Sequence, residues 1–352
     1  MDIFCRDLVM PGTEHLGRYN IFFLVFFFLP ISFAQSYPDQ HVDFLLKKGI
    51  ANIMEQDYDG AEKTFHTVDQ SSPNLPLGKL YLAAVLITKA NDLAVPFETE
   101  KIEKYLDEAE SLLEKSEGDS SLWTNYLWGM VNGYRAYFAS VQGKWFSTFT
   151  NGINAVNYFK NCLKIDSSFS EALIAIGTYK YWKSVKASWL PFFADERIEG
   201  LRMLRKGTEK ESYNYASGLS SLLWVYIDQH NSLEAIAIGE EVLKKYPNNR
   251  AFKWALASAY RDVNLTKAIE ILNDLLVSYS SMKQANRINE IELKHRIAQN
   301  YELQGEYKKA LLLCNEILTI KRFSSYEKQV LAERLDRIVV LKNKILAIEK
   351  EK

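Results

Sequence analysis

The chain has 352 residues, 47% hydrophobic and 25% charged, the make-up of a folded protein and too apolar for a disordered one. Lysine and arginine number 43 against 44 acidic residues, a formal charge of -1, which offers no electrostatic footprint for nucleic acid. The length accommodates two ordinary domains or one extended array.

An apolar run from Ile21 to Ile31 follows Arg18 and leads into Ser32-Phe33-Ala34, a small-x-small pattern suited to signal peptidase cleavage between Ala34 and Gln35. The run is shorter than the ~20 residues a spanning helix needs, and Pro30 interrupts it. Residues 1–34 therefore read as a signal peptide whose long n-region carries Asp2, Asp7 and Glu14. The expectation is an exported protein of the periplasm or envelope, cut near Ala34; the alternative is one anchored by an uncleaved N-terminal hydrophobic segment. Removing the leader takes Arg6 and Arg18 with three acids and leaves a formally neutral chain. It also removes Cys5. Cys162 and Cys314 then remain, too few for a disulfide framework.

Helical periodicity begins near residue 41. Gly49 sits in a first helix, Ala61 opens a second, Phe65 follows one turn on, and Pro73 stops it. Small residues let two helices approach closely, and Phe65 fills the space beside them. Weaker pairs are expected at 80–90 with 102–115, at 121–141 with 153–165, and at 171–183 with 198–206. The clearest pair follows. Leu219, Leu222, Leu223 and Tyr226 line one face of a first helix, and Ala235, Ile238, Gly239 and Val242 line one face of a second. Further pairs are expected at 251–261 with 267–278 and at 288–303 with 307–320, and a charged helix at 325–350 is expected to cap the array.

The pattern Gly49, Ala61, Phe65, Pro73 resembles the tetratricopeptide repeat (TPR) family, whose small, small, aromatic and proline positions recur with a period of about 34 residues. It returns at Leu223, Ala235, Gly239 and Pro247, and again at Ala298, Tyr301, Gly305, Ala310 and Cys314. The resemblance implies an all-α, TPR-like α-solenoid: a right-handed superhelix of about seven helix pairs over 35–323, then a C-terminal capping helix over 324–352.

Two insertions interrupt the repeat, at 143–151 and 185–197. The first brings Trp145, Phe146 and Phe149; the second brings Trp189, Leu190, Pro191, Phe192 and Phe193. These aromatics are expected to pack on each other or on the inner surface. The stretch 171–207, with Leu-Pro-Phe, Asp195, Arg197 and then Gly200-Leu201, is similar to the tetratricopeptide-repeat 39 and mitochondrial outer-membrane inclusion-clearance group, which implies an adaptor role with no catalytic residues.

Chemistry is sparse. His15, His41, His66, His230 and His295 show neither i, i+4 pairing nor a His-Glu metal pattern, and no glycine-rich phosphate loop is present. The expectation is a non-enzymatic protein without cofactor or metal. Acid pairs such as Glu108 with Glu110 and Glu240 with Glu241 read as solvated faces of second helices, and Cys162 and Cys314 read as buried packing thiols.

The seven tryptophans say more. Helical phase turns Trp182, Trp224 and Trp254 away from their pair partners toward the concave side, with Asp228, Arg261 and Gln299 as polar neighbours. They either anchor a ligand or pack against an adjoining repeat or the 185–197 insertion. The leading expectation is a scaffold of the periplasm or envelope that grips a protein or peptide partner in its concave face through these six residues. The alternative is an extracytoplasmic carbohydrate-binding protein stacking sugars on the groove aromatics. No nucleic-acid partner is expected, envelope association is, and oligomeric state is left open.

Overall fold

The structure, a computed structural model, describes residues 36–115, 118–188, 194–282 and 286–350. The expected leader 1–34 and residues 189–193 of the second insertion lie outside these. The described residues form fifteen α-helices and no strand.

The helices come as seven pairs and a cap. They are α1 (Gln40–Glu55) with α2 (Tyr58–Ser71), α3 (Leu77–Leu93) with α4 (Thr99–Glu114), and α5 (Leu122–Val141) with α6 (Trp145–Ile165). Next are α7 (Ser170–Ala187) with α8 (Arg197–Gly207) and α9 (Tyr215–Asp228) with α10 (Ser232–Lys245). Last come α11 (Arg250–Tyr260) with α12 (Leu265–Ser280), α13 (Arg287–Leu303) with α14 (Tyr307–Leu318), and the cap α15 (Ser325–Lys350). Each helix packs on its pair partner, and each second helix packs on the next first helix. That is the connectivity of a TPR-like α-solenoid.

Close approach within pairs depends on absent side chains. A Cβ built on Gly177 would lie 2.8 Å from the Gly200 carbonyl oxygen and 2.8 Å from the Leu204 amide, so α7 and α8 meet backbone to backbone. Elsewhere an aromatic fills the gap that glycine leaves, as Phe65 does beside Gly49 and Phe159 beside Gly129. Five of the turns inside pairs contain a left-handed residue: Gln56 (φ 65°), Ala94 (φ 48°), Gly143 (φ 71°), His230 (φ 55°) and Gly305 (φ 76°).

The interior differs from an open superhelix. Along α3, Leu80, Tyr81, Leu82, Ala83, Val85, Leu86 and Ile87 are all buried, so the helix is enclosed on every side. The C-terminal ends of α1 and α3 meet the N-terminal ends of α11 and α13. Asn249, the N-cap of α11, accepts from the Phe252 amide (3.1 Å) and donates to the Met54 carbonyl of α1 (2.8 Å). Asn286, the N-cap of α13, accepts from the Asn289 amide (3.1 Å) and donates to the Leu93 carbonyl of α3 (2.7 Å). Each asparagine thus caps two helices at once, with the negative end of one dipole facing the positive end of the other.

Between these caps Asp92 and Arg250 form an ion pair with each side chain only 9% exposed. Arg250 Nε donates to Asp92 Oδ1 at 2.9 Å, Tyr58 donates its hydroxyl to Asp92 Oδ2 at 2.9 Å, and Tyr279 donates to Asp92 Oδ1 at 3.1 Å. A carboxylate this buried needs every one of these donors. The solenoid therefore closes on its own first repeats.

Two sequence expectations fail here. Residues 145–151 are helical, so the first insertion is an N-terminal extension of α6 after the Gly143 turn. Trp145, Phe146 and Phe149 are exposed, not packed inward. The pattern misleads because their stripe is turned about 120° from the face of Ala155, Phe159 and Cys162 that meets the core.

Candidate binding site

The six residues expected to read a partner separate into two groups. Trp224 and Trp254 are buried, at 9% and 4% exposure, and can anchor nothing. Trp254 lies in the seam between α12 and α13, donates its indole N–H to the Tyr279 hydroxyl (3.2 Å) and has the Arg296 guanidinium 5.4 Å from its ring centre. Trp224 belongs to a buried cluster that also takes in Met54 of α1, and Trp182 packs against that cluster, edge-on to Tyr181. Asp228 accepts a 2.6 Å hydrogen bond from the Tyr181 hydroxyl. Trp224 and Trp254 are packing residues, and Trp182 and Asp228 are half-buried. Of the three rings, Trp182 alone keeps partial exposure.

Arg261 and Gln299 behave differently. They line one cleft between α11 and α13, together with Ser258, Arg296 and Asn300, and Leu272 of α12 lies at its side. The site follows from the repeat. Arg261 leaves the end of one first helix, and Arg296, Gln299 and Asn300 project from successive turns of the next. Arg296 is braced by Glu292 through bonds of 3.3 Å from Nε and Nη2, and by the Trp254 ring behind it. Guanidinium, amide and hydroxyl groups converge, and no lining residue is acidic. Such a surface suits carboxylates and the carbonyls of an extended peptide.

A larger cleft of about 300 Å³ opens beside the closure, lined by Gln56, Tyr58, Asp59, Lys89, Arg250 and Met282. Its cations are already paired, Lys89 with Asp59 at 3.3 Å and Arg250 with Asp92. It is part of the junction. Sequence reasoning missed Asp92, Arg250 and the two asparagines because Asn249 and Asn286 look like ordinary helix caps. Their second partners lie on helices at the far end of the chain.

The remaining reactive groups are occupied or inert. Burial pushes the Cys162 thiol up to about 12 and the Cys314 thiol up to about 11. Asp195 pairs with Arg197 at 2.6 Å in solvent, and Glu196 bridges Lys180 (2.8 Å) and Lys183 (2.6 Å). No group of three or more His, Cys, Asp or Glu side chains among the described residues could hold a metal ion.

No family model and no curated protein matches the sequence. Among solved structures, the chain is similar to a tetratricopeptide repeat protein from Parabacteroides merdae, with 15% identity over 84% of this chain and 98% of that one and a TM-score of 0.37. It is similar also to the C-terminal part of a TPR repeat-containing protein from Cytophaga hutchinsonii, with 16% identity over 83% and 98% and a TM-score of 0.41. Yeast Tom70 is similar at 13% identity over 91% of this chain and 67% of that one, with a TM-score of 0.43. The class rests on this chain's own stacked pairs: it is a TPR-like α-solenoid.

Proposed function

We propose that this protein is a non-enzymatic scaffold that binds an extended, acidic segment of a protein partner in the cleft between α11 and α13. The observation that carries the reading is the convergence of Arg261, Arg296, Gln299, Asn300 and Ser258 in a cleft whose lining has no acidic residue. Arg296 is held rigidly, so little conformational entropy is lost when a carboxylate meets it.

A photoreactive side chain at Asp262, exposed next to Arg261, tests this in the native cell. A discrete crosslinked partner is expected, with yield falling at least roughly tenfold when Arg261→Ala and Gln299→Ala are combined. No adduct, or an adduct indifferent to those substitutions, would overturn the proposal. We also propose export to the periplasm or envelope, supported only by the apolar run and cleavage pattern ending at Ala34. N-terminal sequencing of the protein purified from its native cell checks it: a chain beginning at Gln35 is expected, and one retaining residues 1–34 contradicts cleavage.

A further inference from the structure

The first turns of α6 carry Trp145, Phe146, Phe149 and Ile153, which are 65%, 87%, 69% and 49% exposed. At 100° per residue they fall on one stripe, distinct from the face that Ala155, Phe159 and Cys162 bury. Large aromatics clustered in water at one end of a helix mark an interaction surface.

Charge says what covers it. From Ser120 to Ile165 the sequence has no Asp or Glu, while Arg135, Lys144, Lys160 and Lys164 fall within it, in a chain whose charges otherwise balance. The same end of the solenoid receives the second half of α7, since a Cβ built on Gly152 would lie 4.0 Å from Tyr179 Cε2. Beyond Glu171, α7 contributes Lys180, Lys183 and Lys186 and no acid. With Lys144 at the start of α6 and Arg197 at the start of α8, this end of the two pairs carries five basic side chains against Asp195, which pairs with Arg197, and Glu196, which bridges Lys180 and Lys183, a net excess of positive charge. A second copy docked across a two-fold axis would set one net positive surface against another. An anionic lipid surface is attracted by that net charge instead, and its interfacial zone receives tryptophan and phenylalanine.

We propose that the N-terminal end of α6 is a peripheral membrane-docking surface for anionic lipid, with Phe146 and Phe149 inserting and Trp145 at the headgroup level. No helix among the described residues is long and apolar enough to cross a membrane, so this contact is interfacial. It lies on α6, none of whose residues lines the α11–α13 cleft.

The test uses the full chain with an environment-sensitive fluorophore at Thr150→Cys, beside the stripe, in a Cys5→Ser background; buried Cys162 and Cys314 stay unlabelled. The local label is needed because the apolar run Ile21 to Ile31 could bind vesicles on its own. Phosphatidylcholine vesicles containing about 30% phosphatidylglycerol should shift the emission to the blue, and salt should weaken the response. Phe146→Ser with Phe149→Ser should raise the lipid concentration required by at least roughly tenfold while leaving the helical signal and melting temperature unchanged. A label that stays silent while the protein sediments with vesicles would overturn the proposal. So would an equal response to pure phosphatidylcholine, or a lipid-independent response that grows with protein concentration, which assigns the stripe to a second copy.

Discussion

Gly177 and Gly133 are both helical glycines, yet they should respond oppositely to the same substitution. A methyl at Gly177 would meet the Gly200 carbonyl and the Leu204 amide, backbone atoms that cannot swing aside. Gly177→Ala should cost about 1–3 kcal/mol of overpacking. Around Gly133 nothing lies within 4 Å of a built Cβ. Gly133→Ala should therefore stabilise by about 0.5–1 kcal/mol through reduced freedom of the unfolded chain. Denaturant midpoints of the two variants, one on each side of the parent, check this.

His295 offers a pH test at the same scale. It is buried to 1% exposure with neither ring nitrogen hydrogen-bonded, and burial first, then Arg334, Arg337 and Arg296, hold it down to about 3, with Glu292 opposing. A histidine whose folded pKa lies below its unfolded value contributes stability that is complete above about 6.5 and is lost as the pH falls toward 3. His295→Met should flatten that acid-side loss, which approaches about 1.4 kcal/mol per pH unit for a full proton. Glu171 slopes the other way. Burial raises it to about 7, although the Tyr213 (2.6 Å) and Asn214 (2.9 Å) amides donate to it, so its contribution declines as pH rises from about 4.5 to 7. Because the windows overlap, the difference between parent and His295→Met across pH 4–7 is the informative quantity; equal slopes would show that His295 does not titrate during unfolding.

At the level of elements, five of the seven turns inside pairs reverse the chain in very few residues with a left-handed residue as the device. His230 uses it without being glycine, and it is exposed. The sequence marks Gln229-His230-Asn231 as a polar turn where many residues would serve; the φ of 55° adds that glycine serves best. His230→Gly should raise stability by up to about 1 kcal/mol, seen as a higher melting temperature, and a lower one would mean that the imidazole makes a contact that matters.

Helix pairing was legible wherever small and bulky residues recur in phase, which is why all seven pairs and the cap can be placed from Gly49, Phe65, Ala235, Gly239 and their counterparts. The start of α6 was not. Its aromatic stripe faces solvent while its polar face holds Ser147, Thr148 and Asn151, so before Ala155 no core-facing periodicity marks a helix. The candidate site was half legible for a related reason. Helical phase gave the direction of Trp182, Trp224 and Trp254, but only the three-dimensional course shows that neighbouring repeats and Met54 already occupy that direction.

For the whole molecule, the decisive feature is closure. A solenoid whose repeats touch only their neighbours gains stability additively along its length. Here α1 and α3 also dock on α11 and α13 through Asn249, Asn286 and the buried Asp92–Arg250 pair. The first repeats thereby fill space that an open superhelix would offer to a ligand. This leaves the α11–α13 cleft and the outward tip of α6 as the surfaces with chemistry to offer. None of the closing contacts follows from the repeat pattern, because each joins residues from opposite ends of the chain.

A double-mutant cycle across the closure is the most direct measurement, with unfolding free energies of the parent, Asp92→Ala, Arg250→Ala and the double variant. Each single change strands a buried partner and should cost about 3–5 kcal/mol, while the double change should cost much less than their sum, with a coupling of at least about 1 kcal/mol. Additive losses, within about 0.5 kcal/mol, would show that the second and sixth pairs do not meet and that the superhelix is open.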